Sequence, residues 1–122
     1  MDNKSFDIAS SFQRKIEQLM DVEKQYRNPK IGLSDFGCLT GISTRAVSKL
    51  IRQHYDKNFP DFLNSYRLNE VLHRFHMNHH RKHTIMGLAL EAGFTSKSTF
   101  YRYFNKKLRV SPSIFLQRRK ME

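Results

Sequence analysis

Strand signals, cysteine, acidic residues and long apolar runs are all scarce in this chain, and each scarcity removes a class of protein. The 122 residues include a single cysteine, Cys38, so neither an internal disulfide nor a cysteine-built zinc site is available. No stretch reaches the ~18 apolar residues of a membrane span, and the N-terminus has no signal-peptide core. A soluble, cytoplasmic protein without membrane contact is expected. Convincing hydrophobic alternation is missing, as are Asn-Gly and Asp-Gly hairpin turns, which argues against sheet. No paired carboxylates, Ser/His/Asp grouping or phosphate-cradling glycine loop stands out, so an enzyme is not expected, nor is a cofactor. Acid is the other shortage: 11 Asp and Glu face 22 Lys and Arg, a formal net charge of +11. Residues 81–122 carry 10 of those cations and only 2 of the acids. A polyanion is the natural partner for such a chain.

Helical spacing fills the sequence instead. Ten Phe and five Tyr provide for a real core, in one compact domain or two very small lobes. Phe12, Ile16, Leu19, Met20 and Tyr26 predict a helix over 11–26, closed by Asn28-Pro29. Ser34 is expected to cap a short helix, 35–40, that packs Phe36 and Leu39 and is broken by Gly41. Ser43 caps 44–55, with Val47, Leu50 and Ile51 inward. A long helix runs from Phe59-Pro60 to about Met77, followed by a polar, His-rich stretch, 78–83. Thr84 caps 85–92, Gly93 ends it, Ser96 caps 97–108, and Ser111-Pro112 opens a last helix carrying Ile114 and Phe115. The expected fold is all-α, seven helices, with no sheet.

Two stretches repeat one design. "LSDFGCLTGISTRAVSKLI" (33–51) and "IMGLALEAGFTSKSTFYRYF" (85–104) each hold a short apolar helix with a small residue inside it, Gly37 or Ala89. Each continues through a glycine turn, Gly41-Ile42 or Gly93-Phe94, to a serine cap and a helix with anchors four apart, Val47/Ile51 or Phe100/Phe104. This is the helix-turn-helix pattern, met twice. An ordinary helical bundle is the plainer reading, but two matches in a strongly basic chain weigh against it. On the outward early turns lie Arg45, Ala46, Ser48 and Lys49, then Lys97, Ser98, Tyr101 and Arg102. Arg and Lys suit guanine acceptors, Ser donates or accepts, and Ala or a Tyr ring packs on a thymine methyl. At each position a phosphate contact or a solvated side chain is the alternative. Phosphate contacts are assigned to Ser43, Arg52, Ser96, Lys106, Lys107 and Arg109. The expected organisation is a lead-in (1–13), a first helix-turn-helix subdomain (14–57), a linker helix (58–78) and a second subdomain (79–120). A rod of about eighteen residues is ~27 Å long. It would let one chain, as a monomer, reach successive major-groove segments repeating every ~34 Å, with some DNA bending.

The stretch "ALEAGFTSKSTFYRYFNKKLRVSP" (89–112) resembles the signature of the AraC/XylS family of bacterial transcription regulators. "NFPDFLNSYRLNEV" (58–71) resembles the opening of that family's linker helix. The resemblance covers about 14–118. It implies a bilobed all-α output domain that places two recognition helices in adjacent major grooves, with double-stranded DNA and RNA polymerase as partners. It also implies base-reading positions at Arg45, Ser48, Lys49, Lys97, Ser98, Tyr101 and Arg102, and a helix-packing salt-bridge role for Arg67. The chain departs from the signature at Arg109, where glycine is usual. A non-glycine left-handed cap costs ~1 kcal/mol, so that helix is expected to end differently. The family commonly carries an effector-binding or sensory domain before this one, and residues 1–13 cannot be that.

Two features compete for attention. His76 and His80, spaced i and i+4, would need a continuing helix to share a metal, and no carboxylate or cysteine lies nearby, so no metal site is expected. Cys38 is expected to be a small buried hydrophobe. The reading is a sequence-specific double-stranded DNA-binding domain. A non-specific basic or architectural nucleic-acid-binding protein, or a protein-interaction bundle, are the alternatives.

Overall fold

The computed structural model describes residues 3–120, with side chains from Ser10 onward. Seven α-helices follow one another: α1 (Asn3–Glu17), α2 (Leu33–Thr40), α3 (Thr44–Tyr55), α4 (Phe59–His76), α5 (Ile85–Glu91), α6 (Lys97–Leu108) and α7 (Pro112–Lys120). There is no strand among the described residues. The chain divides into two compact units, one through Leu63 and one from Asn64, and the division falls inside α4.

The first unit buries Phe12, Ile16, Met20, Phe36, Val47, Ile51 and Phe62, with Phe36 meeting Phe59 edge-on at 5.1 Å. Its opening differs from the expected single helix. α1 widens into a π turn (Gln18–Val22), Lys24 takes a left-handed φ of 52°, and a 3-10 turn (Gln25–Arg27) follows. Tyr26 is therefore buried by a chain reversal rather than by helix continuation. α2 begins at Leu33, one residue before the expected serine cap. Gly32 is its N-cap, and the Asp35 carboxylate accepts the Gly32 N–H at 2.8 Å. Neither Leu39, 46% exposed, nor Cys38 is buried, contrary to the sequence reading. An eight-residue helix is covered along one stripe only, and Phe36 and Thr40 occupy it.

The second unit is an aromatic core. Phe75, Phe100 and Phe104 are fully buried, Phe115 packs against Phe104 at 5.7 Å, and Phe94 meets Phe100 at 5.1 Å. On α7 it is Leu116 that is buried, while Ile114 faces outward. Arg67 is 5% exposed, its Nη1 donates to Asn64 Oδ1 at 3.2 Å, and burial lowers its pKa. It is thus an interior residue of α4, as is Glu70 one turn on. α6 does not end differently at Arg109. The residue adopts the left-handed cap at φ 64°, its N–H bonding to the Asn105 carbonyl at 2.9 Å. The signature's geometry survives there without its glycine.

Two outcomes follow for stability, read by chemical denaturation. Phe104→Ala empties a fully buried ring site and should cost about 3–5 kcal/mol, whereas Leu39→Ala should change stability by less than about 0.5 kcal/mol.

Candidate nucleic-acid interface

Both helix pairs are built by the same local chemistry. Gly41 ends α2 at φ 77°, its N–H bonding to the Gly37 carbonyl at 2.9 Å. A Cβ on Gly37 would lie 3.1 Å from the Ile42 carbonyl oxygen, so the close α2–α3 approach uses the missing side chain. In the second unit Gly93 turns at φ 108°, and the Phe94 N–H returns to the Ala89 carbonyl at 3.1 Å. The restarting helices are then capped. Ser43 Oγ accepts the Ala46 N–H at 3.1 Å, and Ser96 Oγ accepts the Thr99 N–H at 3.1 Å. A lysine from α1 completes the first turn: Lys15 Nζ donates to the Thr40 carbonyl at 2.7 Å.

These turns present the N-terminal halves of α3 and α6 to solvent. On α3, Arg45, Ser48, Lys49 and Arg52 are exposed opposite the buried Val47/Ile51 stripe, while Ala46 is half-buried at its margin. On α6, Lys97, Ser98 and Arg102 are exposed opposite Phe100 and Phe104. Tyr101 is half-buried, its ring edge-on to Phe100 at 5.3 Å, with Lys97 Nζ 5.7 Å from its centroid. That cation–π contact couples Lys97 to Tyr101, so the two side chains present one surface.

The six residues assigned to phosphates fall into two classes. Ser43 and Ser96 already accept cap hydrogen bonds, and the Ser96 hydroxyl also donates to Thr99 Oγ1 at 3.0 Å. Lys106 and Arg109 are exposed near the far end of α6, about 14 Å and about 18 Å along the axis from Lys97 at the usual helical rise. Lys107 is exposed on the Tyr103 side, its Nζ 5.4 Å from that ring. Arg52 lies nearly two turns beyond Arg45. Each unit therefore joins an early-turn polar face to cations further down its own helix.

Two exposed residues on these faces escaped the sequence reading. Thr44 stands four before Ser48, and Asn105 continues the Ser98, Tyr101, Arg102 stripe by one turn. Their spacing was the available signal, but neither carries charge. α3 and α6, like α1, α5 and α7, lack an acidic residue in the first turn, whereas α2 has Asp35 and α4 has Asp61. The partial positive charge at the starts of α3 and α6 meets no acid from their own first turns, which suits an external anion.

α4 ends at His76 and the chain turns at Asn78, so His76 and His80 do not share a helix face. No described helix is long and apolar enough to cross a membrane.

Residues 39–118 match the model of a family described as a helix-turn-helix domain. Two uncharacterised response regulatory proteins from two strains of Staphylococcus epidermidis are each 28% identical over 98 residues. The match takes in 80% of this chain but 38% of either relative, so the chain spans about two-fifths of their length. A solved structure of a protein of unknown function from Listeria innocua superposes with a TM-score of 0.67 at 22% identity, over 81% of this chain and 90% of that one. It shows a shared fold.

Ser96→Asp separates cap from charge. An aspartate caps as well as serine, so stability should hold within about 0.5 kcal/mol, where Ser96→Ala should lose about 1 kcal/mol. Only the aspartate adds negative charge at the head of α6, and elution from a heparin column at visibly lower salt is the expected result.

Proposed function

The chain belongs to the AraC/XylS-type helix-turn-helix domains, which are DNA-binding modules of transcription regulators, and on that premise we propose that it reads a specific DNA sequence with two recognition helices. α3 reads one major-groove segment through Arg45, Ala46, Ser48 and Lys49. α6 reads another through Lys97, Ser98, Tyr101 and Arg102. Ser43, Arg52, Ser96, Lys106, Lys107 and Arg109 hold the flanking phosphates, which supply salt-dependent affinity rather than discrimination. The observation that carries this reading is the recurrence, in both units, of a serine-capped, acid-free and basic helix start presented by a glycine turn.

In this proposal the domain binds DNA as a monomer and acts on RNA polymerase. The response regulatory proteins it resembles favour a regulator whose DNA binding answers to a signal. The units are unequal: the second stands in the half of the chain that holds most of the net charge, so it anchors the domain, and the first gives weaker, more variable readout.

Selection from random duplexes followed by sequencing tests the proposal, with a motif of two half-sites about ten base pairs apart expected. Enrichment of no sequence would establish the non-specific, architectural alternative instead. Arg102→Ala should lose about 1–3 kcal/mol of discrimination at one base pair of one half-site. Lys107→Ala should weaken all duplexes alike and flatten the log–log salt dependence by about 0.9. Equal, sequence-blind losses in both variants would overturn the assignment of α6. Arg109→Gly should part stability from affinity. Removal of the left-handed strain gains about 0.5–1 kcal/mol by denaturation, while the lost guanidinium weakens binding to every duplex.

A further inference from the structure

Away from both recognition helices, the second unit gathers another set of cations from distant parts of the sequence. After α4 ends, Asn78 turns the chain at φ 63°, its N–H bonding to the Phe75 carbonyl at 3.0 Å, and a 3-10 turn (His79–Arg81) follows. That reversal brings His80 and Arg81 to the last turn of α7. A cavity of about 100 Å³ there is lined by Asn78, His80, Arg81, Leu116, Arg119 and Lys120.

Among the described residues the lining holds three permanent cations, an imidazole and a carboxamide, and no carboxylate. Among the described residues, Arg81, Arg119 and Lys120 form no ion pair. Glu91 is engaged by Arg74, whose Nε also donates to His79 Nδ1 at 3.0 Å. Cations at the end of α7 are expected from the helix dipole alone. The dipole does not account for Arg81 and His80, which arrive from another element. The cluster is mutually repulsive: burial, then Arg119, Arg81 and Lys120, hold the His80 imidazole below its usual pKa. His80 Nδ1 is also buried without a hydrogen-bond partner, beside the Phe75 ring at 5.8 Å.

A bound oxyanion would turn this repulsion into attraction. Two guanidinium forks, an ammonium and an amide converge, and a tetrahedral dianion with several acceptor oxygens matches three cations better than a single carboxylate does. We propose that the cavity between the 79–81 turn and the end of α7 is a binding site for a phosphate group, separate from the recognition faces of α3 and α6. The group belongs either to a DNA backbone or to a free phosphate compound, and both present the same chemistry to these residues.

The test follows the His80 ring by NMR while inorganic phosphate or sulfate is added at constant ionic strength. A saturable shift of the His80 signals is expected. Sulfate, whose charge is constant across the range, should bind about fivefold or more tightly at pH 5 than at pH 8. Protonation of His80 and anion binding favour each other by reciprocal linkage. Arg119→Gln with Lys120→Gln should abolish saturation, while Arg118→Gln, outside the lining, should leave it intact; circular dichroism confirms that each variant is folded. Absence of a saturable response at tens of millimolar anion, or an unchanged response in the double variant, overturns the proposal. A second arm adds saturating duplex DNA. Loss of phosphate binding identifies a backbone phosphate as the occupant, and persistence identifies a free phosphate compound. The anion arm contains no DNA, and duplex binding is read separately by fluorescence anisotropy. Failure of this site is thereby distinguished from failure of the groove-reading proposal.

Discussion

Within each unit a helix must stop, reverse and restart over a few residues while the two helices remain packed. A left-handed residue is the cheapest way to stop, and glycine adopts that conformation without side-chain conflict. The restart then leaves several backbone N–H groups without carbonyl partners, and a serine hydroxyl answers one of them. Gly41 with Ser43, and Gly93 with Ser96, meet these demands in the two units. The exposed faces of α3 and α6 depend on that turn, because it decides which half of the second helix stays out of the core. Phe100 and Phe104 are buried and Ser98 and Arg102 exposed for the same reason: the turn sets the rotation of α6 about its own axis.

Charge is then distributed by omission. Acid appears where a helix start needs an internal partner, as Asp35 does for Gly32, and Glu91 is engaged by Arg74. The starts of α3 and α6 carry no such acid, and there a serine cap and exposed cations stand in its place. Dipole, backbone N–H groups and side-chain cations point the same way there, so affinity for a polyanion is a property of the local fold as well as of net charge.

What was legible in the sequence was whatever is encoded within about one helical turn. Both glycine turns, the Ser43, Thr84 and Ser96 caps and the Val47/Ile51 and Phe100/Phe104 stripes are local patterns, and the structure carries them as read. Legibility failed where the deciding partner is remote or the rule is broken. Cys38 and Leu39 looked internal because α2 is apolar, but the elements packed on α2 cover only its Phe36 and Thr40 side. The end of the first helix was missed because Lys24, an unfavourable left-handed residue, makes the turn ahead of Asn28-Pro29. Arg109 was expected to alter the end of α6, and hydrogen bonding to Asn105 kept the usual geometry. The gathering of Arg81 with Arg119 and Lys120 spans nearly forty positions, which no periodicity reveals.

Among the described residues, Lys24, Asp56, Asn78 and Arg109 are the non-glycine residues that hold left-handed backbone, each at the end of a helical segment. Asp and Asn tolerate that region through short local hydrogen bonds, but a lysine and an arginine do not. Two of the chain's cations therefore sit on strained backbone that glycine would relax. For units of this size, each kilocalorie so forgone corresponds to about 4–8 °C of melting temperature. The domain thus retains thermal headroom of several degrees at two identifiable backbone positions, reachable without repacking any part of its aromatic core.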